Sequence, residues 1–182
     1  IATEGIVLLK NGTGKKQPAL LPVPQGKYKR ILVVGDNATR NLMLGGGSSE
    51  LKVQKVISSL DGIKAKFGDG VVYAQGYTSG RPMYGRVIPQ VTVDSLRNDA
   101  VEKAMNSDLV IFVGGLNKNH FQDCEGGDRL SYELPFAQNE LIEALLKVNK
   151  NLVAVIVSGN AVEMPWVKEI PSIVQSWYLG SV

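Results

Sequence analysis

The sequence predicts an α/β fold, a three-layer sandwich whose mainly parallel sheet of about five to six strands has helices on both faces. Five short apolar runs rich in β-branched residues predict the sheet, because they lack the apolar–polar alternation of a half-exposed strand. Segments with apolar residues at helical spacing separate the runs, and strands that alternate with helices form parallel sheets. The predicted strands cover residues 30–35, 71–74, 109–113, 152–157 and 173–177.

Three segments between these runs are predicted to be helical. They cover residues 53–67, 93–105 and 137–146. Thr92 or Asp94 is the expected N-cap of the second helix, and Pro135 suits the first turn of the third. We expect the first helix to be interrupted near Gly62, because glycine weakens a helix interior.

The composition excludes several classes of protein. Of the 182 residues, 44% are hydrophobic and 20% are charged, which is typical of a globular domain and not of a disordered chain. The net charge of +3 is too small to indicate a nucleic-acid partner, and no apolar run is long enough to span a membrane. With one cysteine and one histidine, His120, the chain lacks the residues for an internal disulfide or a multi-cysteine zinc site. We therefore expect no metal and no cofactor.

Both ends of the chain look like cuts within a longer polypeptide. It starts at Ile1 without an initiator methionine or a signal peptide, and it stops at Val182 soon after an apolar run. Residues 1–29 are interpreted as an N-terminal segment and interdomain connector, rich in Gly, Pro and Lys. Residues 30–182 are interpreted as an α/β sandwich domain that is truncated at its C-terminus.

A long polar loop, residues 114–129, follows the third apolar run and holds the most informative chemistry. Glu125 is a candidate general acid/base, because the flanking glycines let an exposed carboxyl project from a mobile loop. The alternative is an ordinary solvated glutamate. A metal site or a nucleophile's base built from His120 with Asp123 or Glu125 is weakly indicated, and Cys124 is a weaker candidate still as a nucleophile.

Three further groups of residues are candidates for binding or anchoring. Asp128 and Arg129 are neighbours, so we expect each to pin the loop to another element rather than to pair with each other. Ser48 and Ser49 end a glycine run that could present hydroxyl and backbone N–H groups to a polar ligand, although a plain flexible loop is equally consistent with it. The chain has neither a dinucleotide fingerprint nor a P-loop. We interpret Met-Pro-Trp at 164–166 and Trp-Tyr at 177–178 as core or interdomain packing rather than as sugar-stacking platforms.

Several separate segments, in order along nearly the whole chain, agree with one family. They are 4–11, Leu-Pro at 21–22, 31–38, 45–49, Glu-Gly-Gly-Asp-Arg at 125–129, Leu-Pro at 134–135 with Gln138, Val-Ser-Gly at 157–159, Met-Pro-Trp at 164–166, and Trp-Tyr-Leu-Gly at 177–180. This combination resembles the C-terminal α/β domain of glycoside hydrolase family 3, of the β-glucosidase and β-xylosidase type.

The resemblance implies a retaining β-glycosidase that removes glucosides or xylosides from non-reducing ends. A nucleophilic aspartate would lie in an upstream (β/α)8-type barrel domain of the same polypeptide, which would be the partner of this one. Glu125 would be the general acid/base, with Asp123 as its nearest competitor. Asp128 and Arg129 would hold the loop and contact substrate.

The resemblance also sets the expected chemistry and location. Retention requires two carboxyl groups about 5–5.5 Å apart, so this chain alone is expected to be inactive. Glycosidases of this kind are commonly periplasmic or secreted, and we expect the same here. The alternative function is a non-catalytic carbohydrate-binding or interaction module with the same fold.

Overall fold

The computed structural model of the chain describes residues 2–42, 54–80, 87–117, 123, 125–126 and 129–178. Within these residues the centre of the molecule is one six-stranded sheet. Its strands are β1 (Val7–Asn11), β2 (Ile31–Val34), β3 (Val71–Ala74), β4 (Leu109–Gly115), β5 (Leu152–Val157) and β6 (Ser172–Gln175). Their order is β1-β6-β5-β4-β2-β3, and every pair is parallel except β1 with β6.

Helices cover both faces of this sheet, which confirms the predicted sandwich. The helices are α1 (Ala2–Gly5), α2 (Ser59–Phe67), α3 (Gln90–Met105) and α4 (Gln138–Val148). Alternate residues of the central strands belong to two separate apolar clusters, one with α3 and α4 and the other with α2. In the part of the chain that the structure describes, no helix combines the length and the apolar character that crossing a membrane requires.

The predicted strands are confirmed to within two residues at each end, but the helices differ in several details. The first helix, predicted over 53–67, begins only at Ser59, with Ser58 as its N-cap. The N-cap of α3 is Pro89, whose fixed φ of −57° suits the residue before a helix, and not Thr92 or Asp94. Pro135 precedes α4 instead of lying in its first turn, because the helix begins at Gln138. The helix α2 continues through Gly62 without interruption.

The segment 1–29 contributes a strand to the sheet. β1 lies at one edge of the sheet, antiparallel to β6, with Val7 opposite Gln175 and Asn11 opposite Ser172. The side-chain oxygen of Asn11 accepts hydrogen bonds from the backbone N–H groups of Leu20 and Leu21, both at 3.1 Å, and from the Ser172 hydroxyl at 2.9 Å. These bonds tie β1, the connector that follows it and β6 into one unit.

The topology brings five loops and the start of β1 to one edge of the sheet. The loops that follow β2, β3, β4, β5 and β6 all leave the carboxyl ends of parallel strands, and the antiparallel β1 begins there. The next strand along the chain after β2, β3, lies on one side of it in the sheet, and the one after that, β4, lies on the other side. The strand order therefore switches between the neighbours β2 and β4. Ligands of open α/β sheets bind at such a point, beyond the carboxyl ends of the strands.

Glycine is required at the end of β4. Gly115 has a φ of +119°, and a Cβ atom built on it would lie 2.0 Å from the carbonyl oxygen of Val157 on β5. A side chain there would meet rigid backbone in a conformation that L-residues rarely adopt. The close approach lets the N–H of Leu116 donate to the same carbonyl at 2.7 Å.

Replacing Gly115 tests whether the end of β4 requires a glycine. We expect Gly115→Ala to lower the free energy of unfolding by about 2 kcal/mol or more, because it combines overpacking with backbone strain. Gly62→Ala is the matched control, since Gly62 lies inside α2 with nothing within 4 Å of an added Cβ, and should raise stability by about 0.5–1 kcal/mol. Urea unfolding measures both. A Gly115→Ala variant as stable as the parent would contradict the account.

Candidate functional site

One buried side chain contacts both ends of the polar loop after β4. Gln138, the first residue of α4, is fully buried, and its amide pairs with the backbone of Gly115, the last residue of β4. The Gly115 N–H donates to Gln138 Oε1 at 2.8 Å, and Gln138 Nε2 donates to the carbonyls of Gly115 at 2.9 Å and Pro135 at 2.8 Å. Both polar atoms of the Gln138 side-chain amide are therefore bonded to backbone groups of the protein, without water. These bonds fix where residues 116–137 leave and rejoin the domain.

Asp123 attaches this loop to the loops that follow β5 and β6. Its carboxylate accepts hydrogen bonds from the backbone N–H of Gly159, the side-chain amide of Asn160 and the hydroxyl of Tyr178, the last at 2.7 Å. The backbone of Asp123 has a φ of +57°, in the left-handed region that aspartate tolerates better than most residues. Both carboxylate oxygens are thus used to hold the loop.

Arg129 makes a second attachment to the same neighbour. Its Nη2 donates to Asn160 Oδ1 at 2.5 Å and to the carbonyl of Ala161. This contact confirms that Arg129 pins the loop to another element, as the sequence predicts. The other terminal nitrogen, Nη1, is buried and has no hydrogen-bond partner among the described residues.

Glu125 lies between these two attachments and is exposed to solvent. Gly126 follows it with a φ of +72° in a turn, and a Cβ at Gly126 would meet nothing within 4 Å. A carboxyl group between two fixed points, on a turn that a glycine makes possible, is positioned but remains accessible. This geometry suits a side chain that exchanges a proton with a ligand.

A buried charged cluster holds the neighbouring loop, which follows β2. The Asp36 carboxylate accepts from Arg40 Nη2 at 2.9 Å, from Gln75 Nε2 at 3.0 Å, and from the N–H and the hydroxyl of Ser79 at 3.2 and 3.0 Å. A buried carboxylate with an arginine and three further donors is compensated for its lost hydration. The cluster therefore keeps the start of this loop in place beside the β4 loop.

The two loops are joined directly by Asn37 and Asn117, which are both buried. Asn117 Nδ2 donates to Asn37 Oδ1 at 2.9 Å, and the N–H of Asn37 donates to the hydroxyl of Tyr77 at 3.2 Å. Burial, and secondarily the charge of Asp36, raises the pKa of Tyr77 well above its ordinary value. The phenol is therefore neutral at physiological pH, and this cluster is structural.

The structure describes only part of the predicted site. Glu125 and Asp123 lie in one short segment, and Arg129 lies beside the same β5 loop as Asp123. Ser48, Ser49, Asp128, His120 and Cys124 lie outside the described residues. In the ranges that are described, no group of three or more His, Cys, Asp or Glu side chains is arranged to hold a metal ion.

Sequence reasoning missed the supporting residues of the loop. Asn160 and Tyr178 contact Asp123 from 37 and 55 positions away, so no local spacing indicates the contacts. The sequence indicates Gln138 only as part of the Leu-Pro…Gln pattern. One feature of the sequence could have indicated its role. Gln138 places a polar side chain at a core position, at the start of the apolar stripe of a helix.

The fold and the site together define the class of the protein: an α/β domain that presents an exposed carboxyl group on a pinned loop at the carboxyl edge of its sheet. The family model described as the glycosyl hydrolase family 3 C-terminal domain matches residues 6–182. The chain therefore belongs to glycoside hydrolase family 3, and it corresponds to the C-terminal domain of that family.

Particular relatives extend this assignment. The chain is 99% identical, over its whole length, to the β-glucosidase BoGH3A of Bacteroides ovatus, of which it covers 25%. It is 34% identical to a β-xylosidase of Formosa agariphila, over 99% of this chain and 24% of that protein. The crystal structure of a Bifidobacterium adolescentis family 3 β-glucosidase matches 98% of this chain and 24% of its own with a TM-score of 0.77 at 34% identity. The chain thus spans about a quarter of the length of these relatives.

Asp123 is predicted to hold the loop. We expect Asp123→Ala to speed amide hydrogen exchange in the 116–129 segment about tenfold or more, because hydrogen bonds to a charged group are lost at three donors. The melting temperature should change little, since Gly159 and Asn160 are exposed and water can replace the carboxylate. Hydrogen-exchange mass spectrometry of the full-length polypeptide measures the effect.

The control for this variant is Glu133→Ala, an exposed carboxylate farther along the same loop. It should leave exchange in the segment unchanged. Equal exchange rates in the Asp123→Ala variant and the parent protein would contradict the anchoring role.

Proposed function

We propose that this chain supplies the general acid/base, Glu125, to the active site of a retaining β-glycosidase, and that the rest of the polypeptide supplies the nucleophile. The substrate class is β-linked glucosides or xylosides, cleaved from the non-reducing end. The upstream (β/α)8-type barrel implied by the family resemblance is the expected source of the nucleophilic aspartate. This chain alone is expected to be inactive.

One observation carries the proposal: Glu125 is exposed on a loop that is fixed on both sides of it. Asp123 and Arg129 hold the loop against the residues after β5, and Gln138 fixes its end. A general acid must reach the glycosidic oxygen within hydrogen-bond distance, which requires both accessibility and a defined position. The described geometry of Glu125 supports both.

Asp123 is the less suitable carboxyl group for proton transfer. Asn160 donates to its Oδ1, and Gly159 and Tyr178 donate to its Oδ2. Both of its carboxylate oxygens are therefore already engaged in holding the loop, whereas Glu125 is exposed. We therefore assign Asp123 to the positioning of Glu125, two residues along the chain.

The proposed reaction has two steps that use Glu125 in opposite directions. In the first, Glu125 gives its proton to the leaving oxygen while the nucleophile attacks the anomeric carbon and forms a covalent glycosyl-enzyme. In the second, the ionised Glu125 removes a proton from the water that hydrolyses this intermediate. Desolvation in a closed cleft and the neighbouring charge of the nucleophile favour the protonated acid at the start. The turn at Gly126 lets the side chain adjust between the two steps.

The remaining predicted substrate contacts follow from the same assignment. Arg129 Nη1 is buried without a partner among the described residues, and an unpaired guanidinium nitrogen is costly. A further acceptor is therefore expected there in the complete site. Asp128, Ser48 and Ser49 stay predicted substrate-binding residues. The β-glucosidase name of the 99% identical relative favours glucosides over xylosides.

Replacing the proposed acid/base tests the function. In the full-length polypeptide, Glu125→Ala should lower kcat/KM for glycosides with poor leaving groups by about 10²–10⁴, because these need protonation at the leaving oxygen. Aryl glycosides with activated leaving groups should retain fast formation of the intermediate, and added azide should restore turnover as a β-glycosyl azide. Steady-state kinetics with and without azide measure this.

Two further variants separate the alternatives. Asp123→Asn should reduce activity without azide rescue, and Glu133→Ala should leave it unchanged. Azide rescue of an Asp123→Ala variant, with unchanged kinetics for Glu125→Ala, would assign the acid/base to Asp123 instead. A full-length polypeptide that binds sugars but hydrolyses none would favour the non-catalytic carbohydrate-binding module.

A further inference from the structure

Asn160 lies where the two attachments of the loop that carries Glu125 meet. Its side-chain Nδ2 donates a hydrogen bond to Asp123 Oδ1, and its Oδ1 accepts one from Arg129 Nη2 at 2.5 Å. Asp123 precedes Glu125 along the chain and Arg129 follows it. One amide group therefore contacts the loop on both sides of the proposed acid/base.

The polarity of this amide is fixed by the groups on its two sides. A carboxylate only accepts hydrogen bonds and a guanidinium only donates them. The Nδ2 of Asn160 must therefore face Asp123 and its Oδ1 must face Arg129, because a flipped amide would oppose like groups at both contacts. The position requires one donor and one acceptor, and an aspartate or an alanine there supplies at most one of the two.

The loop that carries Asn160 is itself held at both ends. Ser158 is buried at its start and accepts from Gln175 Nε2, at 3.1 Å on its carbonyl and 3.0 Å on its hydroxyl. At its end, the N–H of Glu163 donates to the carbonyl of Tyr132 at 2.7 Å. Asn160 therefore projects from a segment whose two ends are fixed.

The neighbouring Gly159 leaves room for the contact with Asp123. A Cβ atom built on Gly159 would lie 3.0 Å from Asp123 Oδ2 and 3.1 Å from Tyr178 Cε2, closer than Cβ atoms normally approach other atoms. Because this side chain is absent, the N–H of Gly159 donates to the same carboxylate that Asn160 contacts. The residues after β5 thus receive the Asp123 carboxylate in one defined position.

A bridge made by one amide makes the two attachments depend on each other. Asn160 is exposed, so each of its hydrogen bonds competes with water and fixes little by itself. When Asp123 and Arg129 hold the amide from both sides, each contact limits the freedom that the other would have to remove. Loss of either contact is therefore expected to loosen the loop on both sides of Glu125.

We propose that Asn160 is a positioning residue for the general acid/base. Its amide bridges Asp123 and Arg129, and this bridge fixes the place of Glu125 between them. The inference rests on the proposed function for the role of Glu125. Asn160 takes no part in proton transfer and acts through the two residues that it joins. Its replacement should therefore impair protonation of the leaving group more than the other parts of the reaction.

Exchanging the polar groups of the bridge tests the proposal in the full-length polypeptide. Asn160→Asp opposes two carboxylates and should lower kcat/KM for glycosides with poor leaving groups by about 10–10², because misplacement by about 1 Å costs this much. Asp123→Asn opposes two NH₂ groups and should have a similar effect. In the double variant, the amide at position 123 donates to the carboxylate at position 160, and its oxygen still accepts from Gly159 and Tyr178. Its kcat/KM should return to within about threefold of the parent.

The dependence on the leaving group separates positioning from a loss of stability. For aryl glycosides with activated leaving groups, which need little protonation, kcat/KM of Asn160→Asp should stay within about threefold of the parent. Asn106→Asp is the matched control, since Asn106 is an exposed asparagine at the end of α3, and it should leave kcat/KM for both substrates unchanged. An equal loss on both substrates, or a double variant whose loss is the product of the two single losses, would overturn the proposal.

Hydrogen exchange and kinetics separate this inference from the proposed function. Suppose that Glu125→Ala has normal kinetics, while exchange in the 116–129 segment is fast in Asn160→Asp and slow again in the double variant. The acid/base assignment then fails and the bridge stands. If Glu125→Ala shows azide rescue while Asn160→Asp has the exchange and kinetics of the parent, the acid/base assignment stands and the bridge fails.

Discussion

The buried amide of Gln138 is the interaction on which the candidate site depends. It pairs with both backbone groups of Gly115 and so joins the end of β4 to the start of α4. A long polar loop between a strand and a helix would otherwise be free to move at both ends. With its ends fixed, the loop is held further by contacts of Asp123 and Arg129 on either side of Glu125, at the carboxyl edge of the sheet.

Three carboxyl groups of the domain have different surroundings, and these surroundings give them different roles. Asp36 is buried and paired with Arg40, Asp123 is tied to three donors, and Glu125 is exposed on a turn. The first two stabilise loops through these hydrogen bonds. Glu125 combines exposure to solvent with a defined place on the loop. Family 3 membership and these contacts together support its assignment as the acid/base.

The sequence predicts five of the six strands well because each of these is a short apolar run that needs no distant information: β3 and β5 agree residue for residue. The sixth, β1, lies in the segment interpreted as a connector, because its place in the sheet depends on pairing with the distant β6. It predicts helix starts poorly, as at Pro89, because capping depends on the geometry of the preceding loop. For the site, the sequence favours Glu125 through its flanking glycines but offers no physical reason to set its competitor Asp123 aside. The reason lies in hydrogen bonds from Asn160 and Tyr178, which are distant along the chain and become neighbours only through the parallel order of β4, β5 and β6.

The most direct test of the account is the crystal structure of the full-length polypeptide with a bound, unhydrolysed glucoside analogue. We expect the Glu125 carboxyl to lie about 5–5.5 Å from a second carboxyl group across the anomeric carbon, as retention requires. Asp123 should still be bonded to Asn160 and Tyr178. A structure in which Asp123 faces the glycosidic oxygen, with Glu125 directed away into solvent, would contradict the central claim.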